Sequence, residues 1–203
     1  MKIVKILLLS AALLCGSIAF AQQSWNAGFG YTTTAFRGED CSDFLIDHHL
    51  RGFYAGISHE FYFSALAGLT FEPGLRFVYQ SGRNDANAQP KYIKMHYLNM
   101  PLDVKYTFNI TEGATASIFT GPEFNVGIIG NLFQDDYFYT LKGSLDTNAH
   151  RLTRVNLQWG FGAAVTIAEA VQIRVSYALG MSRLIPEQEI HSNTFSIGAG
   201  LLF

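Results

Sequence analysis

Hydrophobic and polar residues alternate one for one along most of the chain. The cleanest run is 171–181: Val171, Ile173, Val175, Tyr177, Leu179 and Met181 fall on one side, and Gln172, Arg174, Ser176, Ala178 and Gly180 on the other. A period of two marks a β-strand with one apolar and one polar face. The run is longer than the usual strand of about five or six residues, and it matches the roughly 9–11 residues that a tilted strand needs to cross a hydrocarbon core. The same alternation predicts eight strands, at about 24–33, 52–62, 67–80, 92–108, 114–128, 152–167 and 171–181, with the last closing the chain through Phe195, Ile197, Ala199, Leu201 and Phe203. In the second strand His59 falls on the apolar side.

The connections alternate as well. Segments 63–66, 109–113 and 168–170 are short, whereas 34–51, 81–91, 129–151 and 182–193 are long. Short turns at one end and long loops at the other characterise outer-membrane barrels, whose long loops face outward. An even strand count places both termini at the periplasmic end. The expected fold is therefore all-β: an eight-stranded, antiparallel, up-and-down transmembrane β-barrel. Pro73, Pro101 and Pro122 fall within proposed strands. A closed barrel has no edge strand to shelter a residue without an N–H, so bulges, with a local switch of facing, are expected there.

Composition adds the compartment. Lys2 and Lys5, the apolar stretch 6–14 and Ala19-Phe20-Ala21 read as a secretory leader with an A-x-A cleavage site after Ala21. Residues 1–21 are then a signal peptide, and 22–203 one barrel domain bound for the outer membrane. Removing the leader leaves 12 basic residues against 16 acidic, a formal charge of −4, and gives no reason to expect a nucleic-acid partner. Cys41 becomes the only cysteine, so no intrachain disulfide can form. No later apolar run approaches a helical span. An exported chain with 49% hydrophobic residues then hides that surface in a soluble core or shows it to lipid through a closed barrel.

The polar faces carry Glu60, Glu72, Asp103 and Glu123 with Arg76, Lys105, Arg154 and Arg174, four acids and four bases. In a soluble sandwich such charges would face water and need no balance. Inside a barrel each persists only if paired and hydrogen-bonded. An eight-stranded barrel is just wide enough for its own side chains, so these eight residues, with Tyr54, are expected to form a filled polar lumen in place of a channel.

From the second strand onward the chain resembles the outer-membrane β-barrel domain family abundant in Bacteroidota, the PorT-like group. The resemblance rests on Gly52-Phe53-Tyr54-Ala55-Gly56, Phe71-Glu72-Pro73-Gly74-Leu75 and the run Tyr97-Leu98-Asn99-Met100-Pro101-Leu102-Asp103-Val104-Lys105-Tyr106. It extends through Phe119-Thr120-Gly121-Pro122, Trp159-Gly160-Phe161-Gly162-Ala163 and Arg174-Val175-Ser176-Tyr177-Ala178-Leu179-Gly180. It implies a small barrel in the outer membrane and no particular activity. Its pattern includes the mid-strand prolines.

Candidate chemistry is sparse. His48 and His49 are adjacent, so on an extended backbone they point opposite ways, and neither they nor Cys41 belong to a metal-binding spacing. No G-x-S-x-G elbow is present, and no motif asks for a cofactor. A lipid-modifying enzyme of the acyltransferase kind needs an apolar interior, which eight charges oppose. The third long loop carries Phe133, Tyr137, Phe138 and Tyr139 beside Asp135 and Asp136, and exposed aromatics are typical contact anchors. The same residues alternate as an extended hairpin would. The expected function is a structural barrel that presents loops to an extracellular or protein partner, with a narrow pore as the alternative. Other expected partners are outer-membrane lipid and the barrel-assembly machinery, for which Phe203 serves as the assembly signal.

Overall fold

The computed structural model describes residues 24–38, 49–63, 66–84, 91–134, 137–140, 154–183 and 189–203. Its strands are β1 (Ser24–Arg37), β2 (His49–Tyr62), β3 (Leu69–Asn84), β4 (Lys91–Thr111), β5 (Ala114–Gln134), β6 (Tyr137–Thr140), β7 (Val155–Ile167), β8 (Val171–Gly180) and β9 (His191–Leu202). The order β4-β3-β2-β1-β9-β8-β7-β5-β6, with a further β4–β5 pairing, closes eight of them into a barrel. Every pairing is antiparallel. The seam holds to the last residue: Trp25 N donates to Phe203 O, and Phe203 N to Trp25 O, both at 2.9 Å. The leader assigned to 1–21 lies outside the described residues.

All eight predicted strands are present, and most run further toward the long-loop end than alternation indicated. β5 extends furthest. Its pairing with β7 stops at Val126↔Val155, while its pairing with β4 continues to Tyr92↔Phe133. There β6 adds to it through Asn131↔Thr140, Leu132↔Tyr139, Phe133↔Phe138 and Gln134↔Tyr137. One wall of the barrel thus rises as a ribbon beyond its opposite side, on the end away from the termini.

Burial is inverted relative to a soluble protein. Phe29 is 71% exposed, and Ile118, Ile173 and Leu201 are exposed too, whereas Glu72, Asp103 and Lys105 are each 1% exposed. Apolar side chains turned outward all round a closed sheet are suited to lipid, and polar ones inward to a lumen. A lone polar group on the outer face is satisfied locally: Thr120 Oγ1 accepts from Trp159 Nε1 and donates to Gly160 O, both at 2.9 Å. His59 stays on the outer face and is buried between Trp25 and Phe61, with ring centroids 4.6 and 4.5 Å away.

Inside, bulky side chains lie over glycines of the next strand or the next but one, as the taper of a small barrel requires. A Cβ on Gly162 would stand 2.4 Å from the Phe119 ring, one on Gly160 2.3 Å from Glu123, and one on Gly198 2.3 Å from the Tyr54 hydroxyl.

The bulges expected at the prolines are not there. β2 and β3 keep one register from Ser58↔Gly74 to Phe61↔Phe71, and β3 and β4 from Glu72↔Asp103 to Arg76↔Asn99. Pro122 pairs with Trp159 in an unshifted run. Each proline falls where the ladder to the preceding strand skips two residue pairs, so its missing N–H removes no bond that the ladder uses. Facing is unchanged: Pro101 points into the lumen and is almost fully buried, while its neighbours Met100 and Leu102 face out. The register shifts lie elsewhere, between His96 and Tyr97, where β5 carries the extra residue Ile128, and between Asn109 and Thr111.

Candidate functional site

The lumen is built in layers. At the end holding the termini a vestibule of about 670 Å³ opens, lined by Tyr62, Thr107, Ser117, Thr166 and Leu202, with Glu60 and Lys105 at its floor. Tyr62 Oη donates to Glu60 Oε2 at 2.9 Å. Above the floor runs a continuous ionic plug. Lys105 Nζ bonds Glu60 and, at 3.0 Å, Glu72. Arg174 Nη1 donates to Glu72 Oε1 at 2.9 Å, and Nη2 donates to Asp103. Ser58 donates to Glu72 Oε1 at 2.7 Å. The Arg174 guanidinium lies 3.7 Å from the Phe119 ring centroid, within cation–π range.

Five charges from β2, β3, β4 and β8 are thus held by one another. Buried carboxylates and bases remain charged only in such company. Alternation puts each on the lumen face, and the registers bring Glu72 opposite Asp103 and Lys105 opposite Phe119. Beside the plug is a cavity of about 30 Å³ lined by Arg76, Arg174, Tyr54 and Gly198. Arg76 sits 5.4 Å over the Tyr54 ring.

The next layer is built of amides and hydroxyls around one carboxylate, Glu123. Asn99 Nδ2 donates to Glu123 Oε2 and to Asn125 Oδ1, each at 2.8 Å, and Asn125 Nδ2 donates to Gln158 Oε1 at 3.0 Å. Gln158 Nε2 donates to Ser192 O at 2.7 Å and Thr194 Oγ1 at 3.2 Å, and Thr194 bonds Thr34 at 2.9 Å. This belt links β4, β5, β7, β9 and β1. Over it, Phe36, Leu50 and Ile190 form a buried apolar collar. Between belt and collar is a cavity of about 40 Å³. Cavities of these sizes hold one or two waters each.

Of the eight residues expected in the network, seven face the lumen. Glu60, Glu72, Asp103, Lys105 and Arg174 form the plug, Glu123 joins the amide belt, and Arg76 stacks on Tyr54. Arg154 precedes β7, is exposed, and lines the 40 Å³ cavity at the loop-side mouth. Among the described residues, four acids and three bases are buried or half-buried on the lumen face below it. Phe119 was missed, although its position has the same parity as Ser117 and Glu123. Phe36, Leu50 and Ile190 were missed because they lie in segments read as loops or strand flanks.

Phe133, Tyr137, Phe138 and Tyr139 are described by backbone alone, in the β5–β6 hairpin. Asp135, Asp136, His48 and Cys41 lie outside the described residues. Phe203 is 74% exposed and ends the β1–β9 seam.

A closed eight-stranded antiparallel sheet, polar within and apolar without, defines an outer-membrane β-barrel. The chain belongs to the outer membrane protein beta-barrel domain family, whose model matches residues 6–203, and it is an outer-membrane protein. No match was found among curated proteins. Among solved structures it is similar to Ail, the attachment invasion locus protein of Yersinia pestis, in complex with the heparin analogue sucrose octasulfate. The two share 14% identity over 90% of this chain and 100% of that one, with a TM-score of 0.53. Neisserial surface protein A shares 12% identity over 90% and 100%, with a TM-score of 0.50. The outer membrane enzyme PagL gives 11%, 87% and 97%, with a TM-score of 0.43.

Proposed function

We propose that this protein is a closed, non-enzymatic outer-membrane barrel that presents its extracellular ribbon and loops to a partner and passes no solute. The observation that carries this reading is the plug. Glu60, Lys105, Glu72, Arg174 and Asp103 lie between the vestibule, which Glu60 and Lys105 floor, and the cavity that Arg174 lines. A permeating ion would have to break several buried charge pairs, and the described residues beyond them line spaces of about 30 and 40 Å³. The same charges oppose an acyl-chain site of the kind a lipid-modifying barrel enzyme needs. Function then falls to the parts outside the membrane, where the β5–β6 ribbon projects furthest. A PorT-like affiliation, a leader cleaved after Ala21, and recognition of Phe203 by barrel-assembly machinery fit this reading.

The test is replacement of residues 135–146 by a short Gly/Ser turn. Barrel closure rests on the other eight strands, to which β6 adds only at the edge of β5. The variant should insert and keep its gel-mobility shift on boiling, while surface or partner binding by cells displaying it is lost. Unchanged binding would count against a role for this loop.

A further inference from the structure

We infer that the vestibule at the short-turn end is a docking site for an extended, lysine- or arginine-bearing segment of a periplasmic protein. This contact is separate from the loop-side role proposed above. Short turns mark the periplasmic end of such a barrel. The vestibule of about 670 Å³ adjoins a second space of about 300 Å³, and the two share Asn109, Thr115, Thr166 and Glu169 in their linings. Two hairpin turns frame the second space. Ala168 N donates to Gly113 O at 2.8 Å and ties the β7–β8 turn to the β4–β5 turn. Each turn brings one carboxylate to the lining, Glu112 from the first hairpin and Glu169 from the second.

Charge at this end has one sign. Segments 24–26, 61–71, 106–118, 164–173 and 195–203 build it, and they contain Glu112 and Glu169 but no Lys, Arg or His. Lys105 at the floor is engaged by Glu60 and Glu72. Among the described residues neither Glu112 nor Glu169 has a basic partner. Two exposed carboxylates on an open surface would hold a cation weakly. Set around a cleft with low-dielectric walls, they concentrate the field on whatever enters it.

The hydroxyls choose a peptide over a simple polyamine. Thr166 is 8% exposed and lines both spaces. It accepts from Gln172 Nε2 at 3.4 Å, and its own O–H donates to no described group. Ser117 and Thr107 share one hydrogen bond of 3.1 Å, which leaves one of their two O–H groups over. These donors call for acceptors. A polyamine has none, whereas an extended peptide brings a carbonyl with every residue. Its basic side chains would rest their stems on Ala67 and Leu202 at the vestibule wall and reach the carboxylates with their tips. The rival occupant is this chain's own segment ahead of Ser24, which carries Lys2 and Lys5.

The test titrates the wild-type barrel, in a neutral maltoside detergent, with acetyl-Ala-Lys-Ala-Lys-Ala-amide and follows binding by calorimetry. A Kd on the order of 0.1 mM is expected, and added salt should weaken it. Glu112→Gln/Glu169→Gln should weaken binding about tenfold or more, while Glu189→Gln at the loop end should leave it unchanged. Thr115→Trp, which fills the wall common to both spaces, should abolish binding in protein that keeps its gel-mobility shift. The inference is overturned if the wild type binds no peptide, or if the glutamine double variant binds as tightly as wild type. Full binding by folded Thr115→Trp protein overturns it by reducing the site to an acidic rim. Spermidine binding as tightly as the peptide overturns it in favour of a polyamine site. Binding that appears only after residues 1–23 are trimmed overturns it in favour of the chain's own segment.

Discussion

The two halves of the lumen are filled by different chemistry. Toward the termini the filling is ionic, with five charges in one linked network. Toward the loops it is an amide and hydroxyl belt under an apolar collar of Phe36, Leu50 and Ile190. On the proposed reading both halves exclude water-filled passage. They should fail differently when a member is removed: an ion that loses its partner is left uncompensated in a buried site, whereas an amide that loses its partner leaves only a dipole unsatisfied.

The largest break should come in the ionic half. Arg174→Leu strips Asp103 of its bonded cation, leaves Glu72 with Lys105 alone, and takes the cation from the Phe119 ring; it should destabilise the barrel by about 3–5 kcal/mol. Val175→Leu, one residue along and facing lipid, should change the unfolding midpoint little. Equal midpoints in denaturant would mean the faces are misassigned. In the amide half, Gln158→Leu removes the acceptor of Asn125 Nδ2 and the side-chain donor to the Ser192 carbonyl and should cost about 1–3 kcal/mol. Unlike the Arg174 variant, it strips no charge of its partner. A Gln158 loss larger than the Arg174 loss would reverse the ranking.

The smallest effect should be a gain, outside both halves. Ala168 and Glu169 make the β7–β8 turn with φ of 51° and 57°, a left-handed conformation that L-residues occupy at a cost and glycine does not. Glu169→Gly should raise stability by about 1 kcal/mol, and a loss on equilibrium unfolding would refute that reading of the turn.

How far the sequence revealed this division follows from what alternation encodes. It reports which residues share a face, so the eight strands and seven lumen charges were legible from parity alone. It does not report where a strand stops. Arg154 continues the parity of Asn156 and Gln158 but precedes β7, so its charge is at the rim. The converse error hid Phe36 and Leu50, which extend the lumen faces of β1 and β2 beyond the expected ends. Phe119 was obscured by composition: an aromatic reads as lipid-facing, but here it packs over Gly162 and under Arg174. The prolines misled because a missing donor suggests a bulge. The ladder instead leaves a gap at each proline and keeps its register, while the bulge at Ile128 has no local sequence signal.

Single-channel recording of the wild-type protein in a planar bilayer tests the closed lumen most directly. A barrel stoppered by the Glu60–Lys105–Glu72–Arg174–Asp103 plug and the collar above it should give no steady conductance across the physiological voltage range. A steady current that grows when residues 135–146 are trimmed would contradict this, and would make the protein a narrow pore with its third loop as the constriction.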